Sequence, residues 1–179
     1  MTQVHDRGWN RIKAELAKLK NAVTAVGFFS GDVYPSSGIG IAGVAAVHEF
    51  GTKIRVTPKM RGYLAYRGLH LSPSTTHITI PERSFMRAWL DTNKQKIKDF
   101  KGILLDKLYN GTANAETILA MLGDWAGDEI KKFIVELKEP PNAPFTIEQK
   151  GSSNPLIDKG TMVNAVKHRE FWGGMRPKG

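Results

Sequence analysis

The stretch that most constrains this chain is Ile80-Pro81-Glu82-Arg83-Ser84-Phe85-Met86-Arg87-Ala88-Trp89-Leu90. An alternating, β-branched segment, Thr76 to Ile80, stops here at a proline. Apolar residues then recur at Met86, Trp89, Leu90, Ile97, Phe100, Leu104 and Leu108, spacings of three and four that predict one long helix. Thr79 and Glu82 stand at capping-box spacing, and Ser84 offers a second N-cap. A helix of this length has an apolar face to bury, and the preceding strands are the nearest surface for it.

The rest of the chain supplies matching pieces. Trp9, Ile12, Leu16, Leu19 and Val23 mark an amphipathic first helix. Val23 to Ser30 reads as a strand, weakened at Gly27. Ile41 to Phe50 is a short apolar segment closed by Gly51 in a C-cap position. Three alternating runs follow: Lys53 to Thr57, Tyr63 to Arg67, and Thr76 to Ile80. Turn residues Pro58, Gly62, Gly68 and Pro73 separate them, which predicts a meander or an extended hairpin over about 53–80. A further helix runs from about Asn114 to Leu137, its apolar stripe being Ile118, Leu122, Trp125, Ile130, Phe133, Ile134 and Leu137. Gly123 and Gly127, one turn apart on it, predict close approach of another backbone. Thr146 and Gln149 suit a single helical turn stopped by Gly151, and Thr161 to Phe171 can alternate as a last strand.

The fold class expected is α+β. It comprises a single domain over 1–171, mostly antiparallel sheet with a protruding hairpin, packed by two long helices and an N-terminal helix. Residues 172–179 read as a flexible C-terminal tail. At 179 residues the chain suits one domain with a real core. No apolar run is long enough for a membrane span, and the start, Met1-Thr-Gln-Val-His-Asp-Arg, lacks a signal core. With no cysteine, disulfides and thiol chemistry are excluded.

Charge is unevenly placed. The formal net charge is +9, and residues 53–87 hold Lys53, Arg55, Lys59, Arg61, Arg67, Arg83 and Arg87 against the single Glu82, or +6 of that excess. Such a surface suits an acidic partner, nucleic acid or protein, and equally a solvated, solubilising face. Lys59, Arg61, Tyr63, Tyr66 and Arg67 interleave cations with aromatics, a pattern shared by phosphate-contacting ribbons and protein-docking hairpins.

Catalytic patterns are incomplete. His48-Glu49 begins a zinc-protease motif, but Thr52 stands where the second histidine is needed. His5, His70, His77 and His168 have no ligand spacing among them. Asp91, Asp99 and Asp106 lie among lysines and read as the wet face of the long helix. Gly38, Gly40 and Gly43 have dinucleotide-loop spacing without a βαβ unit around them. The expectation is a protein with no catalytic residues, no cofactor and no metal.

Three blocks carry a resemblance. They are Val44-Ala-Ala-Val-His48-Glu49-Phe50-Gly51-Thr52, then Ile80-Pro81-Glu82-Arg83-Ser84-Phe85-Met86-Arg87, then Pro144-Phe-Thr146-Ile147 with Lys150 and Pro155-Leu156-Ile157-Asp158-Lys159-Gly160. In this order they resemble the tail-completion or neck proteins of tailed bacteriophages. Ser84 and Lys159 depart from the commonest pattern, which often has proline and threonine there. The resemblance implies a structural virion protein that joins head to tail, with no catalytic residue. It further implies assembly in the host cytoplasm as a homo-oligomeric ring against connector, tail tube or tail terminator. A basic nucleic-acid-binding module is the alternative. Glu49 and Arg83 suit either an ion pair that ties the short helix to the start of the long one or two solvated charges, and Leu156-Ile157 is expected to dock the C-terminal segment on the core.

Overall fold

A computed structural model describes residues 8–176; the sequence start Met1–Arg7 and the last three residues of the tail lie outside the described residues. Elements follow in the order α1 (Trp9–Leu19), β1 (Val23–Gly27), α2 (Ile41–Phe50), β2 (Thr52–Arg55), α3 (Pro58–Tyr66), β3 (His77–Ile80), α4 (Met86–Thr92), α5 (Lys94–Tyr109), α6 (Ala115–Glu136), α7 (Pro144–Lys150), α8 (Thr161–Asn164) and β4 (Lys167–Phe171). The class is α+β, with helix outweighing strand and two small antiparallel sheets in place of one larger one. The chain divides into two compact units. One holds residues up to 27, 89–130 and 166 onward; the other holds 28–88 and 131–165.

In the first unit, β1 pairs antiparallel with β4, Val23 opposite Phe171 and Gly27 opposite Lys167. Leu104, Leu108 and Ile118 form the buried centre, with Ile12, Leu16, Leu19, Phe100 and Leu122 packed on it. Trp125 stacks on Phe100 with ring centroids 4.5 Å apart. Gly123 lets α6 approach the strands, but what it meets are side chains. A Cβ there would stand 2.4 Å from His168 Nδ1 and 2.8 Å from Thr24 Oγ1. Gly127 faces Val26 at ordinary van der Waals distance. The expected backbone contact is therefore a packing of strand side chains into a notch. Beyond β4, Gly174 N–H bonds to Asn21 O, so part of the expected tail is tied down.

The long helix expected from Ser84 to Leu108 is two helices. Asn93 and Thr92 both turn side-chain donors onto the Trp89 carbonyl, at 2.9 and 3.3 Å, and Asn93 leaves helical geometry at φ −113°, ψ 16°. Side-chain competition for a helix carbonyl is a recognised way to bend or end a helix. The acidic residues of this region are on its wet side, as expected: Asp91 pairs with Lys94 at 2.9 Å, and Asp99 accepts from Gln95 at 2.7 Å.

The second unit holds the ribbon. β2 pairs with β3, Thr52 opposite Ile80 and Arg55 opposite His77. Between them the predicted strand Tyr63 to Arg67 is helix α3. Thr57 accepts a bond from Met60 N–H at 3.1 Å and Pro58 sits in the first turn, an N-cap followed by proline that outweighs the alternation. The final strand is shortened in the same way, since Thr161–Asn164 is a helical turn and pairing starts at Lys167. The turn expected at Thr146 begins earlier, at Pro144, and ends at Gly151 with φ 68°. Phe85, fully buried, meets Phe28 edge-on at 5.9 Å. Among the described residues, no helix is long and apolar enough to cross a membrane.

Candidate functional site

The three sequence blocks meet in the second unit, around two buried charges. Glu49 occupies the last turn of α2 and is 5% exposed. Its carboxylate accepts from Phe85 N–H at 2.8 Å, Met86 N–H at 2.9 Å and Arg87 N–H at 3.1 Å, the opening amides of α4. Ser84 Oγ adds a bond at 3.0 Å and Arg87 Nε another at 3.0 Å. A helix N-terminus offers unsatisfied N–H groups and a partial positive charge, and a carboxylate answers both. Ser84 is thus a donor to the cap and not the cap itself. The capping box expected from Thr79 and Glu82 is absent, because Thr79 lies in β3 and the helix starts at Met86.

Arg83 neither pairs with Glu49 nor stays solvated. It is 4% exposed, and its guanidinium donates to the carbonyls of Pro140 at 2.8 Å and Pro141 at 3.0 Å, and to Asn142 Oδ1 at 3.1 Å. Its backbone N–H reaches His48 O at 2.7 Å. The ionic partner of Glu49 is Arg87, whose guanidinium also contacts Glu82 and lies 4.7 Å from the Phe50 ring. The reason is spacing along the chain: Arg87 is one helical turn past Ser84, on the side from which the N-terminal amides point.

His48 Nδ1 lies 3.3 Å from Arg83 Nη1. Arginine can only donate, so Nδ1 accepts and the ring proton sits on Nε2. Burial, with the positive charges of Arg83 and Lys150, pushes His48 down to about 4 from 6.5. For Glu49, burial alone would raise the carboxyl, but bonds from Met86, Arg87 and Ser84 outweigh it and hold it below its ordinary value. Gly51 takes φ 67°, and a Cβ there would come within 2.7 Å of Glu82 N, so the chain crossing between α2 and β3 needs glycine. Pro81 continues that crossing, half-buried.

The last block closes the set. Asn154 Oδ1 accepts from Leu156 N–H at 3.0 Å and Ile157 N–H at 3.1 Å, which turns Leu156 into the interior at 5% exposure. Lys150 Nζ donates to Asn154 O at 3.1 Å, and Asn142 Nδ2 to the same carbonyl at 3.3 Å. Gly160, at φ 75°, starts α8, while Asp158 stays exposed. Asn142 and Asn154 were not legible as members of this set, since isolated asparagines beside prolines read as loop.

The basic pattern of the ribbon divides. Arg61 is spent on holding the loop after α3, donating to Leu71 O at 3.0 Å, Ser72 O at 2.9 Å and Thr75 O at 2.7 Å. Arg67 bonds Tyr63 Oη at 3.0 Å and also Gln149. Lys59 is exposed, as are Tyr63 at 57% and Tyr66 at 86%. Of the five residues singled out from sequence, Lys59, Tyr63, Tyr66 and Arg67 are surface, and the half-buried Arg61 is a brace.

Among the described residues no cluster of His, Cys, Asp and Glu is arranged to hold a metal. Compared with protein-family models, curated proteins and solved structures, the chain matches none.

Proposed function

We propose that this chain is a non-enzymatic structural protein of a tailed-bacteriophage virion. It acts in tail completion and head–tail joining as a homo-oligomeric ring at the neck. The observation that supports the reading is the convergence of its three resemblance blocks. His48, Glu49 and Gly51, then Arg83, Ser84 and Phe85, then Lys150, Pro155 and Leu156 all serve one bonded frame, linked through Asn142 and Asn154. A frame of this kind fixes a backbone without offering a reacting group, which suits a part whose work is to hold shape. In the same unit, the β2–β3 ribbon and α3 expose Lys53, Arg55, Lys59, Tyr63 and Tyr66. Tyrosine and cationic side chains on neighbouring segments suit docking on an acidic neighbour such as connector, tail tube or tail terminator.

Electron microscopy of the purified protein, and of phage particles that carry it, tests the reading. Rings at the head–tail joint are expected. A single copy per particle, or none, would overturn it. The same exposed cations and tyrosines favour a second reading, a nucleic-acid-binding module. Affinity for duplex DNA that falls steeply with salt would select that reading instead.

A further inference from the structure

Beside the buried frame, the second unit has a cavity of about 310 Å³ to which neither the frame nor the proposed docking surface assigns a role. Pockets of this size and mixed lining are those that take small ligands. Val44, Leu156 and Met162 make part of its lining apolar. The lining also carries hydrogen-bond donors with capacity to spare. His48 Nε2–H has no partner among the described residues, its Nδ1 being taken by Arg83. Lys150 Nζ gives bonds to the carbonyls of Asn154 and Pro155, at 3.1 and 3.3 Å, and keeps a third N–H. The hydroxyls of Tyr34, Thr146 and Thr161 line the same space and make no side-chain bond among the described residues.

The charges select the ligand. Lys150 and Lys159 line the cavity against the one carboxylate Asp158, a balance of +1, while Arg83 lies outside the lining and is engaged with Pro140, Pro141 and Asn142. The balance favours an anion of single charge, and the apolar part of the lining favours one with a hydrocarbon stem. We propose that this cavity binds a small organic carboxylate, its acid group met by Lys150 Nζ and His48 Nε2–H, its stem lying on Val44, Leu156 and Met162. Inorganic phosphate has no stem for those side chains, and its second charge would face Asp158.

Benzoate is a suitable probe, with benzamide as its neutral counterpart and inorganic phosphate as the stemless anion. Titrations of the full chain would be followed by backbone amide NMR, with the thermal midpoint read alongside. Benzoate is expected to saturate, shifting resonances of His48 and Lys150, while benzamide binds at least tenfold more weakly and phosphate fails to displace benzoate. Lys150→Gln is expected to weaken benzoate at least tenfold. Val44→Phe, which fills the apolar side and leaves every cation in place, is expected to abolish binding with the fold intact. The proposal is overturned if benzoate does not saturate, if benzamide binds equally well, if phosphate displaces benzoate, or if Val44→Phe still binds. Should Lys150→Gln fail to fold, the Val44→Phe result and the benzamide comparison decide.

Discussion

Two helices of this protein begin on a glutamate borrowed from a distant helix, and they differ in how much they depend on it. In the first unit, Glu15 of α1 accepts from Ala115 N–H at 2.7 Å, at the start of α6. That helix also has a cap of its own, Asn114, whose side chain takes Thr117 N–H at 2.8 Å. Glu15 additionally pairs with exposed Lys18 at 3.1 Å. In the second unit, α4 has no local cap, and three of its opening amides share the carboxylate of Glu49 inside the protein. Where a local acceptor serves another amide of the same turn, a borrowed carboxylate is an increment. Where none does, it decides whether the helix starts.

The largest effect is expected from Glu49→Ala. Buried N–H groups lose their acceptor together, and we expect a loss of about 3–5 kcal/mol in urea unfolding. A loss under about 1 kcal/mol would mean that water reaches the helix start. Gly123→Ala asks whether α6 depends more on packing than on its start. A Cβ in the notch overlaps His168 and Thr24, and overpacking of this kind costs about 1–3 kcal/mol.

Acid should separate the two units as well. The folded protein keeps His48 unprotonated to about 4, whereas the unfolded histidine takes up its proton near 6.5. Stability therefore falls as the pH drops from 6.5 toward 4 and stops falling from this cause below that. Discounting for partial exposure, the loss is about 1–2 kcal/mol. Glu49, held below its ordinary 4.5, adds a further loss as the pH falls under that value and through its folded one. Urea midpoints from pH 7 to 4 check this, and His48→Gln should flatten the upper part of the decline. The smallest effect expected is Glu15→Ala, about 1 kcal/mol, because Asn114 remains in place.

The same contrast explains what was legible in the sequence. The start of α6 was readable because Asn114 is its own signal, three residues before Thr117. The start of α4 is readable near Ser84 to Met86, but its acceptor is not, because Glu49 lies 36 positions from Phe85 and no local pattern announces it. The pieces of the Glu49 and Arg83 frame are visible in the sequence as blocks, and the opposite charges of Glu49 and Arg83 suggest a pair between two of them. The pairing itself depends on which arginine faces the helix amides, a matter of one turn that spacing alone leaves open. Helix α3 was missed although Thr57-Pro58 carries the cap, since the alternating residues from Tyr63 to Arg67 drew the strand reading. Arg61 and Arg67 read as partner-facing charges for a similar reason: the acceptors of Arg61 are loop carbonyls with no side-chain signature, and Gln149, which meets Arg67, lies 82 positions away in α7.

That Glu49 starts α4 from another helix is tested most directly by amide hydrogen exchange at Phe85, Met86 and Arg87, read against Ala115. In the native protein these three should be protected close to the level of global unfolding. In Glu49→Gln, which keeps one carbonyl acceptor and loses the charge, their protection should drop at least tenfold more than that of Ala115 does in Glu15→Gln. Equal drops at the two helix starts, or no change at Phe85 to Arg87, would contradict the claim.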